Sequence, residues 1–507
     1  QCNQSVTVMS KNSKGSPFLI LFTAVSIVAA VSLLPLNKIS RGLLRDFNLA
    51  GDIMHITEKS DLDAEKVETQ QIDPELIAAM EEIDVEQPAQ ADEYAIEKSD
   101  TITRQSESEP EQPKSENVQP EKSPVTSEAV EPPVPIDPHD GEIIVMEDYS
   151  PDGNGLKRFK SALAQAGNRV VRIAFLGDSY IEGDIFTQDV REKLQDQYGG
   201  CGVGYVNMYS EFPGFRRSIT QSGSGWEVYN VSMKGHNKAY ISITQQYSMP
   251  VSEKATATYK GAKRLKHTDS WEKSRFIYIS PDAATINTRQ DNGEWTSHSS
   301  SASSEAQCIE VTGPMKSFSV STGNMSLAGI GVWLDGNNGI SVDCMSSRGF
   351  SGVTLSRVSS SLSQSMRRYI DYDLIVIEYG INAMSEAQTD YSAYSKLMIK
   401  SIGHIKECYP NADIIIMGVG DRGSKRGTDI ITMPTTYNMI AAQRDVARHL
   451  GCVFWDTREA MGGENAIVTW ANANPPKANK DYIHLTHIGG RKLAEEFLKS
   501  LNNAINK

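Results

Sequence analysis

The 507-residue chain has little of what metal or nucleic-acid chemistry needs. Its six cysteines (Cys2, Cys201, Cys308, Cys344, Cys408, Cys452) are scattered, with no CxxC pair and no Cys/His spacing of the zinc-binding kind, which argues against a zinc site. Five of them follow an apolar N-terminal segment, so in an exported chain at least one would stay unpaired or pair between molecules. They read best as small buried apolar residues. No long basic stripe is present, which leaves nucleic-acid binding without an electrostatic footprint. Aromatics are absent from residues 61–140 apart from Tyr94.

That same stretch holds 23 acidic and 5 basic side chains and 10 of the 21 prolines. Its balance of −18 more than accounts for the chain's −14 and leaves the remainder at +4. Such a composition cannot bury enough apolar surface to offset its ordering entropy, so a disordered, extended spacer is expected. One local exception is "DPELIAAMEEI" (73–83), where Asp73 could cap a short helix with Pro74 in its first position. This helix is either a docking element or a transient one.

Residues 18–36, "FLILFTAVSIVAAVSLLPL", carry no charge and are long enough to cross a bilayer as a helix. Polar neighbours on both sides leave nothing to bury such a helix against in a soluble core. Lys11 and Lys14 before the run favour a cytoplasmic N-terminus, while Lys38, Arg41 and Arg45 after it oppose that orientation. The reading is a single-pass signal anchor with everything C-terminal to it exported. The alternative is secretion after signal cleavage, although no clean small-x-small site follows the run.

From about residue 155 the pattern becomes globular. "RVVRIAFLG" (169–177), "GISVDCM" (339–345), "DLIVIEYG" (373–380), "ADIIIMGVG" (412–420) and "CVFWDT" (452–457) read as buried strands, with helical stretches near 185–198, 391–408, 434–450 and 489–504. Apolar strands alternating with amphipathic helices predict an α/β fold, a three-layer flavodoxin-like parallel sheet. Residues 215–340 are instead rich in Ser, Thr, Tyr and Gly with short alternating runs, the pattern of an inserted antiparallel β-sandwich. The expected organisation is a tail (1–17), a transmembrane anchor (18–36), a disordered acidic linker (37–150), a first α/β part (151–214), the insert (215–340) and a second α/β part (341–507).

Reactive groups in such sheets sit just beyond the carboxyl ends of the strands. Four short segments fall there. "GDS" (177–179) ends the first strand and would expose the Ser179 hydroxyl beside backbone N–H donors, though Gly, Asp and Ser are also ordinary turn residues. "DYIHLTHIGG" (481–490) could set the His484 imidazole against that hydroxyl, with Asp481 on its other nitrogen. His487 is a nearby imidazole that could cap or pack instead. "EYGINAM" (378–384) could aim the Asn382 amide into the same mouth, and in "SSRGFSGVT" (346–354) either Gly349 or Gly352 lets backbone approach as a further donor. Each segment alone has an ordinary structural explanation. Their joint occurrence at strand ends does not.

The set Gly177-Asp178-Ser179, Gly352, Gly380-x-Asn382 and Asp481-x-x-His484 resembles the four blocks of the SGNH (GDSL) hydrolase superfamily, over roughly 160–214 and 341–504. Within it, "GDSYIEGDIFTQDVREKLQDQYGGCGVGYVNM" is similar to the opening of bacterial peptidoglycan O-acetylesterases, which also carry a β-rich, carbohydrate-binding-like insert. The resemblance implies Ser179 as nucleophile, His484 as general base, Asp481 as its orienter, and Ser179 N–H, Gly352 N–H and the Asn382 amide as the oxyanion hole. Two departures stand out: Ala383 follows Asn382 where the family has Asp, and Tyr180 follows the serine where relatives often have His. Tyr180 either shapes the substrate mouth or packs against the sheet.

The expected function is therefore a serine esterase removing O-acyl groups from an envelope polysaccharide, with no metal or organic cofactor. The expected partners are the O-acylated glycan and the membrane, reached through the N-terminal helix. An acyltransferase using the same triad and a non-catalytic glycan-binding protein are the alternatives. The insert's aromatics (Trp226, Tyr229, Tyr240, Tyr247, Trp271, Trp295) read as core rather than as sugar platforms, and Trp470 could line the site or pack.

Overall fold

The computed structural model describes residues 73–85, 142–210 and 212–506. The apolar run at 18–36 and most of the acidic stretch lie outside them. Five largely buried, apolar runs and one short polar edge strand pair into one central sheet: β1 (Glu147–Asp148), β2 (Val170–Gly177), β3 (Gly339–Ser346), β4 (Leu374–Glu378), β5 (Asp413–Met417) and β6 (Val453–Trp455). The order is β1-β6-β5-β4-β2-β3, parallel throughout except for the antiparallel edge strand β1. From β2 the chain passes first to β3 on one side and then to β4 on the other. The strand order therefore reverses about β2, and a crevice opens beyond its carboxyl end.

Both faces of the sheet are covered. Phe175 of β2 and Trp455 of β6 meet Phe497 of helix α6 (His487–Ile505) edge-on, with ring centroids 5.8 and 5.1 Å apart. Helix α2 (Lys157–Leu163) precedes β2, and helix α3 (Thr187–Tyr198) packs beside α6 on that face. On the opposite face, Ile377 of β4 and Ile416 of β5 lie under Tyr394, Met398 and Ile402 of α4 (Ser392–Cys408) and Val446 of α5 (Thr436–Leu450).

Residues between α3 and β3 form two antiparallel sheets, of five and six strands, around a shared core. Ala255, Ala257 and Tyr259 alternate inward along one strand, facing Phe276, Tyr278 and Val332 of the other sheet, the period-two burial that sheet-on-sheet packing requires. The second sheet also takes in Gly204–Val206, which pairs with Ala328–Asp335. Those three residues fall in the stretch read as the first α/β part, and a strand so short leaves no periodic signal.

The acidic linker is ordered at two places, the helix capped by Asp73, which is the expected local exception, and residues 142–150, which were not expected. Pro74–Val85 forms helix α1, capped by the Asp73 carboxylate on Glu75 N–H at 3.0 Å, and Leu76 is buried against the α/β core. Residues 142–150 are part of the domain as well: Met146 is buried and Glu147–Asp148 pairs with β6. In both places an apolar residue finds a surface that composition alone does not reveal.

Buried charge fastens the insert to the sheet. Arg172 of β2 bonds Asp335 at 2.8 Å, and the Asp343 carboxylate of β3 accepts from Trp333 Nε1 (2.7 Å), Tyr372 Oη (2.9 Å) and Tyr205 N (3.0 Å). Nearer the crevice, Asp184 is wholly buried and accepts from Arg191 of α3 (2.7 and 2.8 Å) and from Ser218 of the insert (2.5 Å). Burial would push the Asp184 carboxyl up; Arg191 and Arg216 outweigh it and hold the group far below the carboxylate range. Removing one partner strands the other charge. Arg191→Met is expected to cost about 3–5 kcal/mol in urea unfolding; an unchanged midpoint would contradict this role.

Candidate active site

The three parallel strands at the crevice end level: Gly177 stands opposite both Ser346 of β3 and Glu378 of β4. A Cβ on Gly177 would lie 2.6 Å from Glu378 Oε2, so the approach excludes any side chain there. The chain then turns, with Asp178 Oδ1 accepting Tyr180 N–H at 2.9 Å. This Asx turn presents Ser179 at the crevice, 8 % exposed.

Asp481 builds the opposing loop. Its Oδ1 accepts the N–H groups of Ile483 (2.9 Å) and His484 (3.0 Å), and its Oδ2 takes His484 Nδ1 at 2.8 Å. One carboxylate thus shapes the turn and orients the ring. Burial pushes the Asp481 carboxyl up, but the hydrogen bonds from the His484 ring and from the two backbone N–H groups outweigh it, so it lies below its ordinary value. An ionised carboxylate can only accept, so Nδ1 carries the proton and Nε2 offers its lone pair. His484 Nε2 lies 2.9 Å from Ser179 Oγ. Ser179, His484 and Asp481, spread over three hundred residues of sequence, therefore form one continuous hydrogen-bonded relay.

The expected anion donors are placed less uniformly. Gly352 adopts φ +95°, and a Cβ there would meet Tyr379 and Met398 at 3.0 and 2.9 Å. Among the described residues, neither its N–H nor that of Ser179 donates to a protein acceptor. The Asn382 amide differs from expectation: its Nδ2 donates to Asp178 Oδ2 and to the Phe350 carbonyl, both at 2.9 Å, so it ties the serine turn to the Gly352 loop. The competing acceptor Asp178 is what spacing could not show. Gly349 is remote from any such contact; a Cβ there would meet nothing.

The ambiguous residues resolve as packing. Tyr180 is buried with its hydroxyl on Met461 Sδ at 3.0 Å, and Trp470 is buried beneath Lys477. His487 accepts from Gln188 Nε2 at 3.0 Å, and burial with nearby Arg217 and Arg264 lowers it to about 4. The cap of α6 is Thr486 instead. In the insert, Trp226, Trp271 and Tyr247 are core, whereas Trp295 is exposed under Arg289.

Two buried groups beside the site were not singled out from sequence. Glu378 closes the otherwise apolar strand β4 and is buried, with Asp178 N–H 3.4 Å from its Oε2. Burial, then the Asp178 charge, raises the Glu378 carboxyl well above its ordinary value; burial raises Asp178 to about 7. An acidic residue ending an apolar run was the available signal. Arg422, after β5, donates from Nη1 to the Ile381 carbonyl at 2.9 Å and so braces the Asn382 turn. No group of three His, Cys, Asp or Glu side chains among the described residues could hold a metal ion.

No family model and no curated relative matches the sequence. Among solved structures, a peptidoglycan O-acetylesterase superposes with a TM-score of 0.58 at 20 % identity, over 71 % of this chain and 99 % of that one. A family two carbohydrate esterase from Cellvibrio japonicus aligns over 57 % of this chain and 98 % of its own, at 11 % identity and a TM-score of 0.25, too slight a likeness to bear weight. The chain has the mixed α/β fold of the peptidoglycan O-acetylesterase, insert included.

The buried Asp178–Glu378 pair makes stability depend on pH. A carboxyl raised in the folded state binds its proton more tightly there, so stability falls as pH rises from the unfolded value of 3.8 toward about 7. Asp178→Asn is expected to flatten the decline in urea midpoint between pH 4 and pH 7; an identical slope in both proteins would contradict the assignment.

Proposed function

We propose that the protein is a serine esterase that removes O-acyl groups, acetyl foremost, from a cell-envelope glycan such as peptidoglycan. The observation that carries this reading is the Ser179–His484–Asp481 relay at the switch point of the sheet. His484 Nε2 takes the Ser179 hydroxyl proton as Oγ attacks the ester carbonyl. The N–H groups of Ser179 and Gly352 are the unoccupied donors for the developing oxyanion, and the Asn382 amide can add a third as the charged oxygen displaces the Phe350 carbonyl. The imidazolium then returns its proton to the departing sugar oxygen, leaving an acyl-enzyme. Water, deprotonated by the same imidazole, releases the carboxylic acid and restores the serine.

A cleft of about 220 Å³ supports a polymeric substrate. Its lining includes Glu182 and Gly183, which follow the serine turn in sequence, and Gln221 and Gln246 of the insert. Phe212 and Phe215, 75 % and 47 % exposed, stand at its wall. Exposed rings of this kind suit the C–H faces of sugars. The apolar run 18–36 and the acidic stretch would hold the enzyme at the membrane, with its catalytic part outside the cytoplasm.

Ser179→Ala should abolish release of acetate from aryl acetates and O-acetylated glycan, and Asp481→Asn should lower kcat about 10⁴-fold by favouring the wrong imidazole tautomer; wild-type rates in either would end this reading. Phe215→Ala should raise KM for the glycan about tenfold while aryl acetate turnover stays within about twofold. Equal losses on both substrates would exclude the cleft as the glycan path.

A further inference from the structure

The Asp73 carboxylate, from the acidic stretch, lies against the backs of the loops that carry the proposed oxyanion donors. It is buried, 3 % exposed. Its Oδ2 accepts from both the N–H (2.8 Å) and the hydroxyl (2.7 Å) of Ser351, the residue before Gly352. Its own N–H donates to the carbonyl of Asn382 at 2.9 Å. Its second carboxylate oxygen caps α1 on Glu75 N–H. A single residue thus grips the Gly352 loop and the Asn382 turn at once.

Resting on the esterase reading, we propose that Asp73 is a positioning residue for the oxyanion hole, and that the segment containing it is a working part of the catalytic domain. Ser351 is wholly buried, so without Asp73 two of its donors would have no acceptor. The loop would rotate to find one, and Gly352 N–H would turn with it. Two further contacts hold the segment down: Leu76 is 1 % exposed in the α/β core, and Glu75 pairs with Arg357 at 2.6 Å. Asp73 touches no reacting atom. Its effect runs through the direction of a backbone N–H that is useful only when charge develops on the carbonyl oxygen, so the loss should fall on the transition state rather than on substrate binding.

The test uses the full chain with Asp73→Ala, and with Leu76→Asp, which expels the segment while keeping the carboxylate. Both variants should lower kcat on an aryl acetate by on the order of 10–100-fold, leave KM within about twofold, and weaken inhibition by phenylboronic acid, a tetrahedral anion mimic, in parallel with kcat. Hydrogen exchange of residues 345–358 should quicken in both. Unchanged kcat and exchange, a loss confined to KM, or a gain in kcat that would mark the segment as an obstruction, would each overturn the proposal. Wild-type protein inert toward aryl acetates would instead overturn the esterase reading, and the exchange measurement would still report whether Asp73 holds the loop.

Discussion

Three parallel strands ending at one level make the site possible. Because Gly177 is in register with Ser346 and with Glu378, the segments following β2, β3 and β4 leave the sheet side by side. The serine turn, the Gly352 loop and the Asn382 turn are therefore neighbours before any of their side chains interact. Hydrogen bonds then fix the details: Asn382 spans from Asp178 to the Phe350 carbonyl, and Arg422 holds the Ile381 carbonyl behind it. The loop bearing Asp481 and His484 comes from the far end of the chain and needs only one contact with this platform, the imidazole on Ser179.

The same register carries an electrostatic cost. It sets Glu378 Oε2 3.4 Å from the Asp178 N–H, and burial raises both carboxyls. Burial favours the protonated form of both groups at the floor of the site. Elsewhere the buried carboxylates Asp184 and Asp335 are matched with arginines and held low. These matched pairs link α3, β2 and the insert, so the cleft wall containing Phe215 is fixed relative to the serine turn.

Much of this was legible in the sequence because period and spacing carry it. Long apolar runs announced β2, β4 and β5, and the three-residue interval between Asp481 and His484 suited one turn whose carboxylate could reach the ring. Other features depend on contacts that no local pattern encodes. The Asn382 amide was expected to face the serine, yet a carboxylate two hundred residues away in sequence competes for it. Asp73 could be read as a helix cap from "DPEL", but its grip on Ser351 joins residues 278 positions apart. Gly204–Val206 is too short to show alternation and becomes a strand only because Ala328–Asp335 offers an edge.

The account's central claim is that a single serine, activated by one imidazole, forms a covalent intermediate. Mass spectrometry of the protein quenched in acid during turnover of an aryl acetate tests this most directly. The account predicts a 42 Da (one acetyl, C₂H₂O) addition on the peptide containing Ser179, absent when His484 is replaced by Ala. Acetate release with no adduct on that peptide, or with the adduct on another residue, would contradict it.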